Sequence, residues 1–218
     1  MAQAQSVEAV KDRFLEAVGG EEALQNLNEA EATATLTMMG QNIDVLLFMK
    51  NEKQRMEMKL PSMTIIRATN GERAWEINPM AGVNTAQEVP VESVQSSEIT
   101  DEVLLHYGEE GYEFEYVGEE DLEGNATYRL DITSDTGKEQ HYFDQRSGLR
   151  VMIKTEITEG PQAGQMMSTH LSNYKEVNGL KTPFFMELKV SGQNFMTMKL
   201  NTVEISDIDD SIFEFPEQ

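Results

Sequence analysis

The residue types most often used for chemistry are thinly spread along this chain. Its three histidines, His106, His141 and His170, fall in different elements, and no HxxxH, HxH or histidine-carboxylate spacing surrounds any of them. A metal centre or a general base needs several such groups converging on one point, so these three read as surface or satisfied sheet histidines. Serine and threonine are plentiful, yet no GxSxG elbow, P-loop, GxGxxG turn or EF-hand spacing is present. The acidic runs Glu119-Glu120-Asp121 and Asp207 to Asp210 lack the alternating oxygen ligands and central glycine of a calcium loop, and read as solvated turns. With no nucleophile, base or metal constellation in view, the expectation is a protein that is not an enzyme and carries no cofactor or metal. A binding role gains by that subtraction.

The positive signal is methionine. The chain has 14, and Met38, Met49, Met56, Met58, Met63, Met186, Met196 and Met198 fall on the apolar side of alternating stretches. Thioether side chains are flexible and polarizable. They suit two situations, the irregular core of a curved sheet and a cavity that moulds to a variable apolar ligand, and composition does not separate the two.

The elements that must position these residues follow from periodicity. Val7, Val10, Phe14, Leu15 and Val18 recur at helical spacing behind Ser6 as N-cap, Gly19-Gly20 ends that helix, and Glu21 to Leu27 can form a second short one. From Glu31 the period becomes two: Ala32, Ala34, Leu36 and Met38, then Ile43, Val45, Leu47 and Met49 after a turn. The alternation continues through "QRMEMKL", "SMTIIRA" and, beyond Asn70-Gly71, "RAWEIN" with the single tryptophan, Trp75. Pro79 to Pro90 is expected to break the sheet, and Val94, Ile99, Val103, Leu104 and Tyr107 form an imperfect helical stripe. Strands then resume around Phe114, Leu130, "QHYFDQ", Ile153, "QMMSTHLSNYKEV", "LKTPFFMELKV" and "NFMTMKLNTVEIS", giving eleven or twelve in all. The tail "DIDDSIFEFPEQ" is expected to close an edge.

Short turns join almost all the strands, which implies an antiparallel meander rather than βαβ units. The fold expectation is mainly β (α+β): a single domain over 1–218, one large curved antiparallel sheet with a helical N-terminus at 6–27 and a helical insert at about 91–107. A sheet that large curls or closes to limit its edges, and the helices then cover an apolar concave face.

The bulk numbers exclude some partners. Thirty-nine acidic against 17 basic residues give a formal charge of −22, which repels nucleic-acid phosphates and anionic membrane surfaces. There is no cysteine, hence no disulfide, thiolate metal site or lipidated N-terminal cysteine in this chain. No apolar run approaches the ~20 residues of a membrane-spanning helix. Ala2-Gln3-Ala4 has the small-x-small form of a signal-peptidase site, so an exported protein trimmed of its signal peptide is expected.

Five segments taken together, "LEAVGGEEALQNL", "QRMEMKLPSMTIIRATNGERAWEINPMAG", "YFDQRSGLRVMIKTE", "SNYKEVNGLKTPFFMEL" and "DIDDSIFEFPE", resemble outer membrane lipoprotein-sorting proteins within the LolA-like and LppX-like carrier superfamily. That resemblance implies a half-barrel of about eleven antiparallel strands closed by helices over an apolar cavity for acyl chains. It also implies a periplasmic, monomeric, non-catalytic carrier of lipoproteins or lipids that meets membrane donor and acceptor proteins. The resemblance does not assign the lid-locking arginine of LolA to one position; Arg67 and Arg73 both lie near the corresponding strands.

Strand alternation supplies the expected cavity lining: Leu36, Leu47, Met56, Met58, Met63, Ile65, Trp75, Ile77, Phe184, Met186, Met196 and Met198. Trp75 is placed between sheet and lid near the cavity mouth. The competing expectation is an interaction module whose sheet is filled by its own helices and which works through a strand edge or its acidic surface.

Overall fold

The structure is a computed structural model that describes residues 6–25, 29–94, 102–135, 137–158, 160 and 162–216. Two helices, α1 (Val7–Val18) and α2 (Glu21–Gln25), precede thirteen strands. These are β1 (Glu29–Met38), β2 (Gln41–Lys50), β3 (Lys53–Leu60), β4 (Met63–Thr69), β5 (Ala74–Asn78), β6 (Val83–Val89), β7 (Glu113–Leu122), β8 (Asn125–Ser134), β9 (Gly137–Asp144), β10 (Arg150–Glu156), β11 (Met166–Val177), β12 (Leu180–Val190) and β13 (Gln193–Ile205). They hydrogen-bond in the order β6-β5-β4-β3-β2-β1-β13-β12-β11-β10-β9-β8-β7. Consecutive strands pair as the expected meander requires except β6 and β7, which stand at the two ends of the order while β1 pairs with β13, and the thirteen strands exceed the expected eleven or twelve.

The extra strand is β6, in the stretch expected to break the sheet. It escapes a period-two reading because its half-buried residues Val83, Ala86 and Val89 recur every three positions, and the β5–β6 register slips between Glu76 and Asn78. A bulge of this kind re-aims side chains and erases alternation. The helical insert also differs from expectation: its described parts are 3-10 turns at Val91–Ser93 and Glu102–His106, and 95–101 lies outside the described residues. So do Ala2-Gln3-Ala4 and the end of the second expected helix, 26–27.

Turn chemistry sets the registers. Four two-residue hairpin turns, Met39-Gly40, Glu123-Gly124, Asn178-Gly179 and Ser191-Gly192, have positive φ at both positions, the type I′ geometry whose twist matches that of the flanking strands. Asn70 makes the four-residue turn between β4 and β5, its Oδ1 accepting from the backbone N–H groups of Glu72 and Arg73.

The chain forms two compact units, one of residues 1–24 and 100–197, the other of 25–99 and 198–218. In the first, α1 starts as expected, with the Ser6 side chain accepting from the backbone N–H of Ala9 at 3.2 Å. Val10, Phe14 and Val18, at i, i+4 and i+8, are its buried stripe. Phe14 meets Phe143 of β9 edge-on at 5.5 Å between ring centres, and the Arg13 guanidinium donates to the carbonyls of Gln145 and Arg146 in the β9–β10 turn. Helix α1 thus lies on the sheet face that carries Phe143.

In the second unit the C-terminal segment does not pair at an edge as expected. It runs across one face of β2–β5 and is tied down there. Lys50 donates to the Ile208 carbonyl at 2.7 Å, Arg55 to that of Ile212 at 2.7 Å, and the Trp75 indole to that of Phe213 at 3.2 Å. Lys50 also sits 3.1 Å from Glu29 and 3.3 Å from Asp210. Buried Ile208 and Phe213 supply the apolar contact that these bonds orient.

Candidate functional site

Cross-strand register sorts the expected lining onto faces. In the second unit Ala32 opposes Leu47 and Leu36 opposes Ile43. Leu47 opposes Met56, and Val45 opposes Met58. Met58 in turn opposes Ile65, and Leu60 opposes Met63. Directly opposed residues point to the same side of a sheet, so Leu36, Leu47, Met56, Met58, Met63 and Ile65 share one face. Leu36, Leu47 and Ile65 are buried there, whereas Met56, Met58 and Met63 are half-buried. The row of Met56 continues to Arg67, which is paired with Glu76 at 3.2 Å. This puts one ion pair at the end of an otherwise apolar strip.

Trp75 and Ile77 do not belong to that strip. Trp75 opposes Ala68, which opposes Arg55, and Ile77 opposes Ile66, which opposes Glu57, so both stand on the reverse face. There Trp75 is 1% exposed, beneath the C-terminal segment, with Phe215 edge-on at 6.5 Å and the Arg55 guanidinium 5.4 Å above its ring. The reason is local: the tail buries the reverse face of β4 and β5, so large apolar residues occupy both sides there. Trp75 is a packing residue of that segment and not a rim residue of a lid.

In the first unit Phe184 and Met186 are buried. Met186 opposes Leu171, and Leu188 on the same side opposes Thr169. Thr169 leads through Ile153 and His141 to Leu130, the row next to Phe143 and therefore on the α1 side. Met196 and Met198 are half-buried on β13. Asn194 donates to Glu187 at 2.9 Å, and Glu187 faces away from Met186, so alternation turns Met196 away from Phe184 and Met186 as well.

The α1 side of the first unit also holds a polar chain that the sequence reading missed. His141 is fully buried, with Nε2 2.8 Å from Oε2 of Glu139 and Nδ1 3.1 Å from Nη1 of Arg150, itself buried. A guanidinium can only donate, so Nδ1 accepts and the ring proton sits on Nε2, donated to the carboxylate. The hydrogen bond from His141 holds the Glu139 carboxyl below the usual carboxylate range, against the opposing effect of burial. Both imidazole nitrogens are engaged, which suits a structural link between β9 and β10 better than a general base. Its signal in the sequence was Glu139-x-His141 inside a strand, since residues two apart share a face.

A second polar group lies on the reverse face of the same strands. Asp131, nearly buried, takes 2.6 and 3.0 Å bonds from Arg129 and a 2.8 Å contact from Lys138. Burial pushes its pKa up, but these two cations outweigh it and hold the carboxyl low. Among the described residues, no three histidine, cysteine or acidic side chains are placed to hold a metal ion, and no helix is long and apolar enough to cross a membrane.

No family model matches the chain, and no curated protein matches it in sequence. Solved structures do match. A LolA superfamily protein from Nitrosomonas europaea superimposes with a TM-score of 0.65 at 11% identity, over 97% of this chain and 98% of that one. A putative outer membrane lipoprotein-sorting protein domain from Vibrio parahaemolyticus gives 0.65 at 10% identity, over 95% and 97%. A DUF1329 family protein from Desulfovibrio piger gives 0.60 at 12%, over 95% and 97%. At such identities the likeness is one of fold, and it extends over nearly the full length of all four chains. The chain has the fold of LolA superfamily proteins.

Proposed function

We propose that this protein is a non-catalytic carrier that shields the acyl chains of a lipoprotein or lipid, acting as a monomer in the periplasm in outer membrane lipoprotein sorting. The observation that carries the reading is the strip of Met56, Met58 and Met63 beside Leu36, Leu47 and Ile65. Three adjacent thioethers, each half-buried, give a surface that is apolar, deformable and incompletely covered by described residues. A hydrocarbon laid along it gains about 0.8 kcal/mol for each CH₂ removed from water. The Arg67–Glu76 pair at the strip's end offers a polar stop for a headgroup. Phe184 and Met186 are proposed as lining within the first unit. The shared fold supports the same reading, because one of the matching proteins is described as lipoprotein-sorting.

The experiment has two steps. Protein purified under mild conditions is extracted with organic solvent and searched for lipid by mass spectrometry, and stripped protein is then titrated with a fluorescent fatty acid. Saturable binding is expected, weakened at least tenfold by Met58→Asp, with Trp75 emission nearly unchanged because the indole lies on the reverse face. Absence of both lipid and saturable binding would sink the carrier reading. A large Trp75 response would instead place the ligand under the C-terminal segment.

A further inference from the structure

Antiparallel connectivity places the β1–β2, β3–β4 and β5–β6 turns at one end of the second unit's sheet and the β2–β3 and β4–β5 turns at the other. The two ends differ in chemistry. At the first, residues 36–43, 60–66 and 77–87 contain no charged side chain. Charged residues make up 26% of the chain, so stretches of this combined length would carry several by chance. At the opposite end the turns are Lys50-Asn51-Glu52-Lys53 and Asn70-Gly71-Glu72-Arg73.

Methionine stands at two tips of the uncharged end. Met39 is 93% exposed and Met80 is 67% exposed. Met39 also has φ +51°, beside Gly40 at +76°, a turn that asparagine-glycine fits best and in which a methionine side chain gains nothing from its own fold. Asp44 opposes Lys59 and Leu60 opposes Met63, so the β3–β4 turn begins level with Ile43. The Met39-Gly40 tip thus overhangs its neighbour by about two residues, roughly 7 Å of strand. On β2 and β3 the nearest charges, Asp44 and Lys59, are set back behind it, and on β13, beside β1, the nearest is Lys199, two positions from the Asn201 that donates to Thr35.

We propose that this end of the second unit is a docking surface for a neutral, zwitterionic lipid surface, with Met39 inserted first and Met80 following at the interface. Charge selects this occupant. A chain at −22 repels both an anionic membrane and a second copy of itself, whereas an uncharged rim meets zwitterionic headgroups without desolvating an ion. Shape agrees: projecting tips suit a fluid interface, into which single apolar side chains can sink, better than a rigid protein groove. The inference stands on these tips alone and does not require the carrier reading.

The test uses the full chain and phosphatidylcholine vesicles. Flotation of the wild type is expected to persist in 0.5 M salt and to fall about tenfold in a Met39→Asn/Met80→Asn variant, which keeps both turns intact and retains any binding of a fluorescent fatty acid. Because the chain has no cysteine, a polarity-sensitive dye can be attached at Met39→Cys or, as the opposite-end control, at Asn51→Cys. Blue-shifted emission with vesicles is expected only from the first. Four results would overturn the proposal: no flotation of the wild type, equal flotation of the variant, equal dye response at the two ends, or a vesicle-independent self-association that the double substitution abolishes. Loss of fatty-acid binding in the wild type would count against the carrier reading alone.

Discussion

The half-buried Glu139 is joined to the buried His141 and Arg150 in the first unit, and its effect on stability has a definite pH sign. The carboxyl of Glu139 is held low in the folded protein by the His141 hydrogen bond. A depressed acid contributes stability that is complete above its unfolded pKa, about 4.3, and is lost as pH falls through its folded value. Glu139→Gln keeps the shape and can still accept from Nε2, but it removes the charge. The variant is expected to melt below the wild type at pH 7, by an amount equivalent to about 1 kcal/mol, and the gap should close as pH falls below the ordinary carboxylate range. Melting temperatures of the two proteins across that range decide the matter, since a gap independent of pH would mean that the carboxylate charge does not contribute. The pair was hidden in the sequence because Glu139-x-His141 is diagnostic only once the segment is known to be a strand.

At the scale of elements, α1 is fitted to the turns beneath it with little clearance. A β-carbon at Gly19, where φ is +121°, would lie 2.1 Å from the Gly179 carbonyl oxygen in the β11–β12 turn, and one at Gly148 would lie 2.9 Å from the Arg13 carbonyl oxygen. Backbone meets backbone at Gly19, so no side-chain rotation relieves the clash. Gly19→Ala is expected to cost about 3 kcal/mol and to loosen α1 before the strands. Hydrogen exchange would show that order as faster exchange in Val7–Val18, and a variant of wild-type stability would contradict the packing described. Helix α1, with its cap and glycine stop, was legible in the sequence, as were the strands other than β6, because periods of 3.6 and two are local properties. The face of each strand was not. With an even number of loop residues between antiparallel strands, opposed residues differ in parity: Met56 faces Arg67 and Glu76, while Trp75 faces Ala68 and Arg55. Apolar alternation in β5 therefore reported burial under the C-terminal segment, not membership of the methionine strip.

For the molecule as a whole the dominant electrostatic fact is the imbalance of 39 acidic and 17 basic residues. Even if every cation neutralised one carboxylate, 22 negative charges would remain, and in the compact state they repel one another over distances comparable to the Debye length. Opposing this are local pairs, among them the Glu29–Lys50–Asp210–Lys53 network and the Arg129 cluster with Glu120 and Asp131. Exposed pairs contribute little and weaken in salt, so their loss is small beside the relief of a net charge this large. Stability is therefore expected to rise with ionic strength. Between 20 mM and 0.5 M sodium chloride the Debye length falls from about 20 to about 4 Å. A gain of about 1–2 kcal/mol over that range corresponds to an upward shift in Tm of several degrees for a chain of this size. A thermal melt series in sodium chloride at pH 7 measures it. A Tm that falls with salt would mean that the ion pairs outweigh the self-repulsion, and the acidic surface would then have to be read as arranged for attraction within the fold.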